Sequence, residues 1–338
     1  MKIVVLAGGY SPEREVSLTS GSLVANALME KGHRVLLLDV YEGLSRLPED
    51  PNSLFLESGR YHHTVREEVP DLAALKARVG NGDALIGPHV DTLCRLADKV
   101  FLALHGSMGE NGQLQAYLDS LGIRYTGSDY LGCALAMDKD IAKKLFRNAG
   151  VPTPDWQYFH TKTDSMDQLL ANAPLPCVVK PCNGGSSVGV SMADTAEELS
   201  AAISEAAKWE DTILVERRIV GRELTMGILR GQTLPPVEII PREGFYDYKN
   251  KYQGNTEEIC PANIPTETVE EMSRLTKLGF EALRMKNYAR FDFLLDENGQ
   301  LWCLEANALP GMTPTSLLPQ EAAAVGISYS ELCEMLLN

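Results

Sequence analysis

Residues 288–317 read YARFDFLLDENGQLWCLEANALPGMTPTSL, and the reading of the fold turns on how this stretch pairs with itself. Two strand-like runs, 289–295 and 300–307, flank Asn298-Gly299. Between alternating runs that dipeptide signals a two-residue hairpin turn. Such a turn pairs Glu297 with Gln300, and so sets Asp292 opposite Glu305 and Arg290 opposite Asn307. Side chains alternate across a strand, which places Arg290, Asp292, Glu305 and Asn307 on one face. The other face collects Phe291, Phe293, Trp302 and Leu304 only in part, so a bulge or a slip in register stays open. Opposed carboxylates repel each other. A hard divalent cation would remove that repulsion, and Asp, Glu and Asn oxygens suit Mg²⁺. A solvated acidic face accounts for the same pattern and stays open on the hairpin alone. Pro310-Gly311-Met312-Thr313-Pro314 follows, a segment able to bring backbone N–H groups close to a ligand.

The chain around this stretch is 338 residues long, enough for a large core and two or three domains. Hydrophobic residues make up 44% and charged residues 23%, ordinary for a soluble globular protein. A net charge of −15 argues against a nucleic-acid-binding surface. The seven cysteines are odd in number and lack paired CxxC spacing, which fits free thiols in a reducing cytoplasm better than disulfides or zinc. The N-terminus enters a strand without a signal-peptide pattern, and no apolar run approaches the ~20 residues that cross a bilayer.

Taken in order, KIVVLA at 2–7 is an apolar run ending in Gly8-Gly9, the pattern of a buried parallel strand feeding a tight turn. An amphipathic helix to about residue 31 and a strand at 34–40 complete a β-α-β start and suggest an open α/β sheet. The turn is not GxGxxG, so a dinucleotide site is poorly supported. Residues 41–98 carry little motif information beyond one helix near 71–78 and read as an insertion in the first domain. KVFLAL, at 99–104, is another buried strand, followed by HGSMGENGQ at 105–113. In open parallel sheets ligands sit beyond the carboxyl ends of the strands, so Glu13 and His105 can face one crevice.

Gly127-Ser128 marks a boundary, and residues 137–148 read as one basic helix stopped by Gly150 and Pro152. PCVVK at 176–180 is a strand ending in lysine. PCNGGSSVGV at 181–190 is rich in backbone donors and hydroxyls suited to phosphate, but it lacks the P-loop pattern. Alternation of Val188, Val190 and Met192 predicts a strand there. Thr195 and Glu198 form a capping box for a helix to about residue 208. Strands follow at 211–217 and 223–229, then a long polar and aromatic loop at 242–256 able to close over a site. Helices at 268–285 and 329–337 flank the hairpin region.

Together the motifs EREVSLTSG, HGSMGENGQLQ, YTGS, MDK, VVKPCNGGSSVGV, FYDYKNKY, RFDFLLD and EANALPGMTPTSL resemble the D-alanine–D-alanine ligase family of ATP-grasp enzymes. The resemblance runs from Met1 to about Met335, with 41–98 the main unmatched stretch. It implies an α/β ATP-grasp architecture of three domains, 1–127, 128–215 and 216–338, with an open parallel sheet first and ATP between the second and third. The implied reaction is ATP-dependent joining of two D-alanines through an acyl phosphate, for peptidoglycan precursors. The implied setting is a cytoplasmic homodimer using Mg²⁺ or Mn²⁺, with two ions, and taking neither nucleic acid nor membrane as partner.

Carried over position by position, Lys139 and Lys180 resemble the lysines on ATP phosphates, and Gly185, Ser186 and Ser187 the lid above them. Glu216 and the backbone after it resemble the adenine hinge, Glu223 the ribose ligand and Lys251 the loop lysine on the γ-phosphate. Asp292, Glu305 and Asn307 match the metal ligands. Arg290 and the Gly311 N–H resemble the groups that hold the developing oxyanion. Glu13 resembles the partner of the first substrate's ammonium, with Ser186 and Tyr252 completing a hydrogen-bonded triad. Ser316 and Leu317 resemble the site of the second substrate's carboxylate, and His105 borders the first substrate's pocket. Some members carry an acidic residue where this chain has Gly184. Two other readings are a related ligase taking D-serine or D-lactate as acceptor, of which Tyr252 disfavours the D-lactate one by favouring an amine, and a non-catalytic binding protein on the same fold.

Overall fold

Ile3 to Ala7 are all fully buried, and the strand they form, β1 (Lys2–Ala7), sits at the centre of a three-stranded parallel sheet. Strand β2 (Arg34–Asp39) flanks it on one side and β3 (Lys99–Leu102) on the other. A parallel pair needs a crossover, supplied between β1 and β2 by the helix Arg14–Glu30. The computed structural model describes residues 1–64, 70–185, 187–241 and 256–337. From the described part of 41–98, Phe55, Val90, Leu93 and Cys94 are buried in the same core as β1. The helix foreseen near 71–78 spans Leu72–Val79, capped by the Asp71 carboxylate.

Two antiparallel sheets follow. One orders β4 (Trp156–His160), β7 (Thr212–Arg217), β5 (Cys177–Pro181) and β6 (Ser191–Ala193) as β4-β7-β5-β6. The other runs β11-β10-β8-β12-β13, with β9 (Gln232–Thr233) also on β8. Its members are β8 (Gly221–Leu229), β10 (Val237–Pro241), β11 (Thr256–Ile259), β12 (Tyr288–Asp296) and β13 (Leu301–Asn307). The expected loop at 242–256 lies outside the described residues apart from Thr256, which opens β11. The last helices, Leu317–Ala324 and Tyr329–Leu337, return to the first lobe, where Leu318, Leu332 and Leu336 join the core of β1. The chain ends therefore close one core, and the His33 ring stands 2.5 Å from Glu334 across it.

Three local expectations need correction. The basic helix expected at 137–148 is two helices, Tyr130–Met137 and Lys139–Asn148. Asp138 separates them in an extended conformation, and its side chain accepts from the Ile141 N–H at 3.0 Å, as an N-cap does. The strand expected from Val188 begins only at Ser191, because 187–189 form a turn with Ser187 at φ +57°. The capping box at Thr195 and Glu198 forms as expected, and its helix runs Ala196–Ala206.

The hairpin holds the third correction. Asp296 N–H donates to the Gln300 carbonyl at 3.0 Å, so the loop has three residues, 297–299, rather than two. Gly299 takes φ +79°, the left-handed position such a loop demands. Pairing then runs Leu295 with Leu301, Leu294 with Trp302 and Phe293 with Cys303. A bulge at Leu304 adds the residue back, so Asp292 still faces Glu305 and Arg290 still faces Asn307. Cys303, not Leu304, therefore joins Phe291 and Phe293 in the core, and Leu304 turns the other way with Glu305.

Candidate active site

A cavity of about 720 Å³ opens between the two antiparallel sheets. Asp292, Leu294, Leu304 and Glu305 from the hairpin line it on one side, and Val178, Lys180 and Glu216 on another. Gly184, Gly185 and Ser187 reach it from the segment after β5, and Arg217 to Glu223 from the end of β7, the connection and the start of β8. The bulge is what lets Leu304 and Glu305 face the cavity together.

The hairpin side carries the foreseen acidic pair, and each member stands near a cation. Arg290 grips Asp292 with two contacts of 2.9 Å, and Thr225 Oγ1 donates to Asp292 Oδ1 at 2.7 Å. Asn307 Nδ2 donates to Asp292 Oδ2 at 2.9 Å. Glu305 Oε2 lies 3.8 Å from Lys139 Nζ. The repulsion expected between opposed carboxylates is thus offset inside the protein. Two carboxylates and a carboxamide gathered at one edge of a cavity still form an all-oxygen set that fits a hard divalent cation.

The opposite wall is built differently. Lys139 opens its helix, its N–H bonds the Cys182 carbonyl, and its Nζ donates to the Gly184 carbonyl at 2.5 Å. Lys180 Nζ stands 3.1 Å from Glu216 Oε2, and Lys143 Nζ stands 2.6 Å from the same oxygen. Burial opposes the charge of Glu216, yet Lys143 and Lys180 together hold its carboxyl below the ordinary value. Burial pushes Lys143 down to about 8, against the upward pull of Glu216. Glu223 lines the mouth of the cavity from β8.

A second group gathers where the parallel lobe meets the hairpin. Glu13 precedes the first helix, and its carboxylate lies against Gly106 and near Gly185. Gly106 has φ +66°, and a Cβ there would stand 2.5 Å from Glu13 Oε2, so only glycine fits. The His105 ring is buried, with Nε2 3.2 Å from Ser20 Oγ. Burial lowers its pKa, while the Glu13 charge and the Leu309 backbone pull it upward. Ser316 Oγ accepts from the Thr313 N–H at 3.1 Å and packs on Gly311, where a Cβ would come within 2.8 Å of it. Ser316 and Leu317 start the helix Leu317–Ala324, whose first N–H groups receive no side-chain cap from Ser316.

Comparison with known proteins bears directly on this geometry. Residues 2–128 match the family described as D-ala D-ala ligase N-terminus, and residues 145–338 the one described as D-ala D-ala ligase C-terminus. The chain belongs to the D-alanine–D-alanine ligase family. It is 40% identical to the D-alanine–D-alanine ligase of Pediococcus pentosaceus, over 99% of this chain and 96% of the relative. Among solved structures, the D-alanine–D-alanine ligase of Bacillus anthracis complexed with ATP superposes with a TM-score of 0.75 at 30% identity, covering 100% of this chain and 95% of that one. The VanG D-Ala:D-Ser ligase of Enterococcus faecalis also gives 0.75, at 27% identity, covering 99% and 98%.

For this ligase, the structure gathers Lys139, Lys180, Gly185, Ser187, Glu216, Glu223, Asp292 and Glu305 around one cavity. Arg290 and Asn307 join them through Asp292. Glu13 and His105 lie together beside Gly106, and Gly311 packs on Ser316 at the start of the helix Leu317–Ala324. Ser186, Lys251 and Tyr252 lie outside the described residues. Three participants went unassigned from sequence. Thr225 anchors Asp292 and carries no local signal. Lys143 shares Glu216 with Lys180, and its spacing of four from Lys139 on one helix was the available clue. Glu110, inside HGSMGENG, accepts from the Gly106 N–H at 2.6 Å. Burial, with the Glu13 charge added, raises its carboxyl to about 8. Its place among three close glycines was the clue.

Proposed function

We propose that this ligase joins two D-alanines to D-alanyl-D-alanine at the expense of ATP, which leaves as ADP and phosphate. The observation that carries the reading is that Lys139, Lys180, Asp292 and Glu305 line one cavity. That arrangement suits a polyphosphate held between cations and an acidic, metal-binding edge. Amide formation needs the first substrate's carboxylate oxygen turned into a leaving group. Transfer of the terminal phosphoryl group to that oxygen gives an acyl phosphate, which the second substrate's amine attacks, expelling phosphate.

The chain's own groups divide the work in this reading. Lys139 and Lys180 hold phosphates, with Gly185, Ser186 and Ser187 above them and Lys251 reaching the terminal one. Glu216 with the backbone beyond it takes the adenine, and Glu223 the ribose. Glu13, with Ser186 and Tyr252, fixes the first ammonium beside His105. Ser316, Leu317 and the uncapped start of their helix take the second carboxylate, since a helix N-terminus favours anions. Arg290 and the Gly311 N–H stabilise charge that develops on the reacting carbonyl oxygen. Asp292, Glu305 and Asn307 would hold the divalent ions, two of Mg²⁺ or Mn²⁺, which neutralise phosphate charge when bound. The reading places the enzyme in the cytoplasm as a homodimer, which sedimentation would test.

Phosphate release in the presence of D-alanine alone tests the reaction, and added D-serine or D-lactate tests the acceptor. The expected result is full release with D-alanine alone and a dipeptide product. Release only after D-serine is added would transfer the assignment to a mixed ligase, and no release with any pair would leave a binding protein. Tyr252→Phe is expected to shift product toward D-lactate at low pH, where free amine is scarce. An unchanged product ratio would remove Tyr252 from acceptor choice.

A further inference from the structure

Lys143 is a cation that no nucleotide can touch. Its side chain is 0% exposed, one turn along the helix from Lys139. Its Nζ donates to Thr153 Oγ1 at 2.5 Å and lies 5.3 Å from the centre of the Trp156 ring. The same Nζ stands 2.6 Å from the Glu216 oxygen that Lys180 meets at 3.1 Å. One carboxylate oxygen is therefore divided between a sealed ammonium and one at the cavity surface. A buried lysine is costly to keep charged. For balancing Glu216 it is also superfluous, because Lys180 alone supplies one positive charge. Two lysines on one carboxylate leave a net charge of +1 on the wall, and the shorter contact belongs to the sealed partner.

We propose that Lys143 is a positioning residue: by holding Glu216 from behind, it keeps Lys180 from being neutralised and leaves that ammonium free for a phosphate. This rests on the reading of Lys180 as a phosphate ligand. The charged and titratable groups facing Lys143 are Glu216 on β7, Lys180 on β5 and Cys303 on β13, with the Trp156 ring on β4 beside it. When Lys143 loses its proton, Glu216 falls wholly to Lys180 and the cavity wall loses its surplus charge.

The test is the ratio of ATP affinity to adenosine affinity, read by displacement of a fluorescent nucleotide at fixed excess Mg²⁺. The ratio isolates the phosphates from any change in the adenine pocket. Lys143→Met is expected to lower it about tenfold, as weakening one charge-assisted contact does. Lys143→Met/Glu216→Gln is expected to restore most of the loss, since no carboxylate then competes for Lys180. In the wild type the ratio is expected to fall between pH 7 and pH 9, through the value of about 8 for Lys143, and to stay flat in Lys180→Met. A Lys143→Met ratio equal to wild type overturns the proposal, as does a double variant no better than the single. If Lys143→Met does not fold, the wild-type pH series still decides, and a flat series overturns the proposal. A Lys180→Met ratio equal to wild type at pH 7 would instead remove the phosphate reading on which the proposal stands.

Discussion

Both sides of the cavity pair lysine or arginine with carboxylate, and they do so to opposite ends. On the β5–β7 side the charges are sealed: the Lys143 side chain is 0% exposed and the Glu216 side chain 3%. On the hairpin side the Glu305 side chain is 28% exposed and its nearest lysine is 3.8 Å away. Removing water makes ion pairs strong but rigid, because each charge then depends on its partner. Open pairs are weak, since water screens them and can replace either member. The sealed side therefore presets where charge sits before a nucleotide arrives. On the hairpin side Asp292 is held by Arg290, and Glu305 is the carboxylate whose long contact with Lys139 can be exchanged for one to a metal at little cost to the fold.

The comparison breaks most visibly at Glu216. Glu216→Gln strands two lysines at the sealed wall and is expected to cost about 3–5 kcal/mol of stability at pH 7. The loss should shrink as the pH is raised to 9. A lysine with a lowered folded pKa binds fewer protons folded than unfolded, so stability gains as pH rises through that value. Urea melts at the two pH values check both points, and an equal loss at each would mean that Lys143 does not titrate there.

Glu305→Gln probes the open side. Turnover at saturating Mg²⁺ should fall at least about tenfold, the lower bound for groups that merely support a metal ligand. Stability in chelator should stay within about 0.5 kcal/mol of wild type, since a contact as long as the 3.8 Å between Glu305 and Lys139 contributes little. A variant clearly less stable yet nearly fully active would make Glu305 a structural residue.

The smallest effect sharpens the comparison from a third carboxylate. Glu321 is fully buried against the Gly227 backbone. Burial raises its carboxyl well above the ordinary value, against the opposing pull of Arg290. Such a group is bound to its proton in the folded chain but released in the unfolded one, so it weakens the fold as pH rises above the ordinary carboxylate range. Glu321→Met should raise stability by about 1–2 kcal/mol at pH 7. At pH 4 both states keep the proton, and the gain should fade; a gain that is equal at the two pH values would point to packing instead.

What sequence alone determined here was whatever depends on near neighbours. The buried run at 2–7, the capping box at Thr195, the seven free thiols and the facing of Asp292 and Glu305 all follow from residue type and spacing, and all are found. The motifs placed Lys139, Lys180 and Glu216 in one site before any coordinates did. The hairpin shows the limit. Its extra loop residue and its bulge shift the register in opposite directions, and strand periodicity registers only their sum. The facing pair was therefore legible, while the place of Trp302 and Leu304 was not, beyond the bulge or slip that their misfit left open. Tertiary structure alone decided that Arg290 would grip Asp292 rather than face solvent, that Phe55, Val90, Leu93 and Cys94 would pack into the first core, and that Lys143 would meet Glu216 from 73 positions further along the chain. The reason is common to all three. Which charge is sealed from water, and by which partner, depends on how separate sheets close over one another, and no local pattern of residues records that closure.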